Sequence, residues 1–403
     1  MTDSLVKNFL TVRDLWVSYP SRAGQDCFTA VKGVGFDIPQ RRTMGLVGES
    51  GSGKSSTALA VMRLIRASAG SISLGGVELT SLTGRALRAQ RPKFQMIFQD
   101  PASSLNPRQR AVDILTEPMH LCGLGQKSQR IEMARELLAQ VGLSSSSLML
   151  FPHQFSGGQR QRLVIARALA TRPELVVADE PVSALDAAVQ AQILNLLGSL
   201  RDNFGLTVLF ISHDLGVVQH ACHEVGVMYR GLLIERAPTE KLFSAPAHPY
   251  TWALLSASVT DWGLREALKT IFGSGLENGV AADPDQKEKA ARKKSLTPNF
   301  ETTQPVSSTR SITKSIKWAI SGCLKESGGQ ILNPRLSEDG SEGCNFLQCP
   351  LAEEKCRTQE PVLTEFEPGH LSRCRLAAEI RRQGQAVLEL ASSPAFGQMT
   401  AAA

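Results

Sequence analysis

The chain has 403 residues, 42% of them hydrophobic and 20% charged, with a formal net charge of +6. That is enough for one large domain plus something smaller, and the mild charge singles out no class of partner. No apolar run reaches the roughly 18–20 residues needed to span a bilayer, and Met1–Phe9, carrying Asp3 and Lys7, lacks the apolar core of a secretory signal, so a cytosolic protein is expected, with eight cysteines that form no disulfides.

From about residue 8 to 245 the pattern is that of an α/β domain, with apolar strand-like runs and helical segments between several of them. The first run is Thr11–Val17. The second, Thr43–Val47, leads into Gly48-Glu49-Ser50-Gly51-Ser52-Gly53-Lys54-Ser55, after which Ser55–Arg66 carries apolar residues at helical spacing. Strand, Gly-x-x-x-x-Gly-Lys-Ser loop and helix start form a phosphate-binding loop. Its glycines turn several N–H groups onto one anion, Lys54 serves the β- and γ-phosphates, and Ser55 ligates Mg²⁺. A dinucleotide-binding Gly-x-Gly-x-x-Gly fails here, because Gly51-x-Gly53 is followed by Ser56 and Lys54 sits inside the loop.

Gln95–Phe98 is the next strand, and residues 100–170 read as mostly helical, including Ile131–Val141 and Gly158–Thr171. Ser156-Gly157-Gly158-Gln159 opens the last of these helices and offers a second phosphate-binding helix start. Leu175–Ala178 is a buried strand ending in Asp179-Glu180, two carboxylates suited to holding Mg²⁺ through its waters and to polarising an attacking water, respectively. Thr207–Ile211 and Glu224–Tyr229 follow. Residues 274–325 are rich in Gly, Ser, Thr, Lys, Glu and Asp and carry the basic cluster Lys287–Lys294; they are expected to be a flexible linker with a solvated charge run rather than a nucleic-acid site. Beyond it Cys344-x4-Cys349-x6-Cys356-x17-Cys374 suggests a metal, and four thiolates suit an iron–sulfur cluster or zinc, with free thiols as the remaining reading.

Phe155–Arg162 resembles the signature sequence of ATP-binding-cassette (ABC) proteins, and Leu175–Pro181 has the form of their Walker B strand. The resemblance implies an α/β P-loop NTPase cassette: a RecA-like core with an antiparallel β subdomain and a helical subdomain. It also implies that Ser156, Gly157, Gly158 and Gln159 act on ATP held by the phosphate loop of a second cassette. Asp186, in Ser183–Asp186, matches the D-loop of the dimer interface, and His213 the switch histidine at the γ-phosphate. Gln99 matches the Q-loop glutamine that reaches Mg²⁺, and Tyr19 the aromatic that stacks on adenine. With Ser56 completing the ATP contacts and Glu180, His213 and Lys54 as catalytic residues, ATP hydrolysis is the implied activity.

Three further stretches resemble oligopeptide, dipeptide and nickel importer ATPases: Phe98–Arg108, His248–Leu255, and Gly343–Pro350 with Cys356, Pro361–Leu363 and His370–Cys374. The expected organisation is an ATP-binding domain over 8–260, an insertion over 261–327, a Cys-rich segment over 328–376 and a tail over 377–403. The implied role is the ATPase of a solute importer at the cytoplasmic face of the inner membrane. Peptides are the expected cargo, with nickel, an opine or a sugar phosphate as alternatives and a soluble non-transport ATPase as the remote one. Its partners would be two transmembrane permease subunits, a second ATPase (a related chain or another copy) and, indirectly, an extracytoplasmic solute-binding protein. In this branch the cysteine quartet is associated with a [4Fe–4S] cluster.

Overall fold

The structure, a computed structural model, describes residues 8–20, 27–258, 355, 359–378 and 380–382. The chain divides into two compact units, Met1–Glu240 and Lys241–Ala403. In the first unit, β1 (Asn8–Tyr19) and β2 (Phe28–Pro39) pair antiparallel, and β4 (Ala69–Leu74) and β5 (Val77–Glu78) complete a sheet in the order β2-β1-β4-β5. Between these segments of chain lie β3 (Thr43–Val47) and α1 (Lys54–Val61). After β5 come α2 (Gly84–Gln90), β6 (Phe94–Ile97) and a helical stretch of α3 (Pro101–Ser104), α4 (Ala111–Leu121), α5 (Lys127–Gln140) and α6 (Gly157–Leu169). The chain returns to the sheet with β7 (Leu175–Asp179), α7 (Ala187–Phe204), β8 (Thr207–Ile211), α8 (Leu215–Ala221), β9 (Glu224–Tyr229) and β10 (Leu232–Pro238).

The second sheet of this unit runs β10-β9-β3-β8-β7-β6, parallel throughout except for the β9–β10 pair. Helix-sized connections are what parallel neighbours require. Every residue of β3 and β7 is buried, which is why their sequences are unbroken apolar runs and not alternating ones. The topology places β3, β8, β7 and β6 side by side, so the residues leaving their carboxyl ends meet along one edge. In open α/β sheets that edge is where ligands bind.

Two local readings change. Helix α1 ends at Val61, a turn short of the expected Arg66, because Arg63 adopts φ 51° and its guanidinium donates to the carbonyls of Thr80 and Leu82. Strand β2 was not legible, since Lys32, Gly33 and Gly35 interrupt its apolar run.

In the second unit, α9 (Thr239–Ser244, beginning in the first unit) and α10 (Pro249–Ser258) precede the hairpin β11 (Thr364–Glu367) and β12 (His370–Ser372). Lys241 Nζ donates to the Pro368 carbonyl (2.8 Å), and Ser372 Oγ to that of Ala247 (3.4 Å). His248 is buried, and its Nδ1 accepts from the Tyr250 N–H at 3.1 Å. No helix among the described residues is long and apolar enough to cross a membrane. The expected insertion over 261–327, with the basic cluster, lies outside the described residues, as do Cys344, Cys349 and Cys356.

Candidate active site

The phosphate loop joins β3 to α1 with Gly48, Gly51 and Gly53 at φ 146°, 82° and 103°. Two of these glycines are also dictated by space. A Cβ on Gly48 would lie 2.2 Å from the Met228 carbonyl oxygen, and one on Gly53 would lie 2.5 Å from that of Ala30. At Gly51 nothing lies within 4 Å, so that position asks only for the left-handed backbone. The turn between β9 and β10 braces the loop: Gly231 N–H donates to Ser52 O (2.9 Å) and Gly231 O accepts from Lys32 N–H (2.8 Å). Sequence reasoning missed this brace, although Gly231 between two strands carries the signal of a turn.

Lys54 is buried, and its ammonium donates to the carbonyls of Gly48 (2.8 Å) and Glu49 (2.7 Å) and to Ser52 Oγ (3.4 Å). Burial lowers its pKa, while Glu180, Asp179 and Glu49 pull it back up. Ser55 Oγ donates to Asp179 Oδ1 at 3.2 Å, which ties the helix start to the end of β7. Burial raises the Asp179 pKa against the Ser55 hydrogen bond; Glu180 adds to the rise and Lys54 opposes it. A serine hydroxyl beside a buried carboxylate is a hard-oxygen pair, and it fits Mg²⁺.

Glu180 sits one residue past β7 at φ 46°, a backbone region that side chains other than glycine rarely occupy. Its N–H donates to Ile211 O (3.0 Å), and its carbonyl accepts from Ser183 N–H (3.3 Å) and Oγ (3.1 Å). The carboxylate is thereby turned into a clamp. Gln99 Nε2 donates to Oε2 at 2.8 Å, and His213 Nδ1 lies 3.0 Å from Oε1. Gln99 leaves β6, Glu180 leaves β7 and His213 leaves β8, so three neighbouring strands deliver one cluster. Tyr19, at the end of β1, places its hydroxyl 3.1 Å from Ser56 Oγ on α1. Ser50 is exposed on the loop.

The signature residues do different local work. Ser156 caps α6: its Oγ accepts from Gln159 N–H (3.3 Å), while Gln159 Oε1 accepts from Ser156 N–H (3.0 Å). A Cβ on Gly158 would lie 2.8 Å from Val189 Cγ1, so that glycine lets α6 approach α7. Asp186 caps α7 through Val189 N–H at 2.9 Å. Ser156, Gly157 and Gln159 are exposed. Of the cysteine quartet, Cys374 alone falls among the described residues, following β12. Among those residues, no group of three or more His, Cys, Asp or Glu could hold a metal ion.

Comparison with known proteins gives a consistent picture. The family model "ABC transporter" matches residues 31–183, and "Oligopeptide/dipeptide transporter, C-terminal region" matches residues 234–277. The oligopeptide transport ATP-binding protein AppF of Bacillus subtilis is 37% identical over 93% of this chain and 99% of its own length. A Brucella ovis chain whose name refers to peptide import is 39% identical over 91% of this chain and 96% of its own. Among solved structures, a bacterial ABC transporter cassette determined as a dimer covers 57% of this chain and 98% of its own, at 27% identity and TM-score 0.52. A subunit of the cbiONQ transporter complex of Clostridium perfringens, 22% identical over 59% of this chain and 92% of its own at TM-score 0.53, shares the fold.

Proposed function

The chain belongs to the ATP-binding proteins of the ABC transporter family, and from that membership we propose that it powers the import of peptides. The observation that carries the site assignment is the Glu180 carboxylate, held between Gln99 and His213 and one residue from the Asp179–Ser55 pair. A carboxylate fixed on both oxygens is oriented to accept a proton from water attacking the γ-phosphate. His213 and Gln99 orient it, Lys54 and the loop N–H groups neutralise phosphate charge, and Ser55 and Asp179 would hold Mg²⁺, which supplies further charge neutralisation when bound. Tyr19 would receive the adenine, and Ser56 the phosphates beside it. The start of α6 (Ser156, Gly157, Gly158 and Gln159) and Asp186 would complete the ATP site of a second cassette, either a related chain or another copy.

Coupling to two membrane permeases would run through the helical stretch after Gln99. A groove of about 960 Å³ there is lined by Arg85, Arg88, Glu117, Pro118, Leu121 and Arg167, among others. It suits a short amphipathic helix offered by a permease. The chain would thus work at the cytoplasmic face of the inner membrane, with an extracytoplasmic binding protein choosing the cargo. The cysteine pattern supports a [4Fe–4S] cluster on Cys344, Cys349, Cys356 and Cys374, or zinc in its place, on sequence grounds alone. Iron-free, colourless protein after anaerobic purification would remove the cluster.

The test is uptake of labelled di- and oligopeptides and of Ni²⁺ by intact cells carrying wild type or Glu180→Gln. Loss of peptide uptake alone is the expected result. Loss of Ni²⁺ uptake alone would transfer the cargo to nickel, and unchanged uptake of all of them would overturn the peptide reading.

A further inference from the structure

Phe28 is the most exposed aromatic on the first unit's antiparallel sheet, with 65% of its surface open to solvent, and it begins β2. Its Cα partner across the strand pair is Tyr19. The neighbouring pair in the same register is Ser18 and Thr29, whose hydroxyls lie 3.1 Å apart on one face. Side chains alternate along a strand, so Tyr19 and Phe28 share the opposite face. Which direction that face looks is fixed by one contact: the Tyr19 hydroxyl meets Ser56 Oγ in the first turn of α1, immediately after Lys54 and Ser55. Two residues on from Phe28, the Ala30 carbonyl closes over Gly53 of the phosphate loop. The strand that carries Phe28 thus runs directly onto the loop.

We propose that Phe28 is a second base-binding residue, which together with Tyr19 gives the nucleotide's purine ring an aromatic platform at the edge of the phosphate loop. The inference rests on the reading of Tyr19 as the adenine-stacking residue and extends it. An opposed aromatic pair on one strand face places its Cβ atoms about 5 Å apart, so a flat ring can contact both. One ring offers its face and the other an edge or face, the arrangements aromatic groups favour. This also gives an exposed phenylalanine beside a charged site something to cover.

The experiment measures steady-state ATP hydrolysis by the full chain as wild type, Phe28→Ala, Phe28→Tyr and Tyr19→Ala, with thermal melts of each. Inhibition by inorganic tripolyphosphate, which has the phosphates but no base, is measured alongside. Bases stack favourably on aromatic side chains, so Phe28→Ala should raise KM for ATP roughly tenfold, a loss of about 1.4 kcal/mol. Its kcat, melting temperature and tripolyphosphate inhibition should not change, and Phe28→Tyr should restore KM. An unchanged KM in Phe28→Ala beside a raised KM in Tyr19→Ala would overturn the role of Phe28 and leave Tyr19 standing. Unchanged KM in both would overturn the base site itself. A loss of tripolyphosphate inhibition equal to the loss of ATP affinity would also overturn the proposal, since it would show distortion of the loop and not removal of a base contact.

Discussion

Three glycines of one loop face different demands, and the demands predict different costs. Gly51→Ala meets only the strain of a left-handed backbone, about 1–2 kcal/mol, because its Cβ would enter open space. Gly48→Ala and Gly53→Ala add contacts of 2.2 and 2.5 Å with backbone carbonyls of β9 and β2, atoms that cannot swing aside. Thermal melts should place Gly51→Ala nearest to wild type, with ATP binding lost in the other two; equal melting temperatures for all three would contradict the geometry. At Glu180 the prediction is chemical. Glu180→Gln keeps a side chain that can still pair with Gln99 and His213 but has no free carboxylate, so ATP should bind while turnover falls about 10²–10⁴-fold. Wild-type turnover in that variant would refute the role given to Glu180. His248 answers to pH. Burial pushes its pKa down to about 3, and its Nδ1 already accepts the Tyr250 N–H. A ring whose pKa is lowered by folding takes up a proton only in the unfolded chain between about pH 6.5 and 3, so the stability present above pH 6.5 drains as pH falls through that window. The loss is roughly 1.4 kcal/mol per unit. His248→Asn, whose Oδ1 can take the Nδ1 position, should flatten that slope in urea titrations, and an unchanged slope would mean that another group sets it.

At the scale of elements, the ends of α6 and α7 carry two roles that mutation can separate. Ser156→Ala removes one half of a capping box, costing about 1 kcal/mol of stability, and it also removes a hydroxyl proposed to face a partner's phosphate. Ser156→Asp caps as well as serine does but sets a carboxylate against that phosphate. The expected result is a melting temperature near wild type with ATPase activity lost. Retained activity would mean that Ser156 serves its own helix only. The same comparison explains what could be read from sequence. β3, β8 and β9 matched their expected limits because parallel strands buried on both faces leave unbroken apolar runs. Glu180 was legible because it follows such a strand directly, whereas Gln99 and His213 were implied by the family resemblance and not by their strand positions. β2 was not, because its register depends on pairing with β1 through several bulges, a tertiary fact that Lys32, Gly33 and Gly35 conceal. The brace at Gly231 was missed for a related reason: it links residues that are distant along the chain.

For the whole molecule, the two proposed halves of an ATP site lie on exposed parts of one chain: Ser50 and Gly51 on the phosphate loop, Ser156 and Gly157 at the start of α6. Exposed in this way, neither half would enclose a triphosphate alone. A helix start favours an anion only weakly while water competes for its N–H groups, and the attraction strengthens when a second surface excludes that water. ATP should therefore act as a ligand that holds two cassettes together, and hydrolysis should release them, since ADP lacks the γ-phosphate that both halves would share. The solved dimer of a bacterial cassette at 27% identity shows that this fold can pair. The prediction is that Glu180→Gln protein, mixed with ATP and Mg²⁺, sediments as a dimer, either alone or with a related ATPase, while the same mixture with ADP does not. Ser156→Asp in the same background should abolish the dimer without weakening ATP binding to the single chain, because the carboxylate would stand on the partner-facing surface and not in the loop. A dimer equally stable with ADP, or no dimer with either partner, would show that association is not linked to the γ-phosphate, and the proposed coupling of hydrolysis to transport would need another lever.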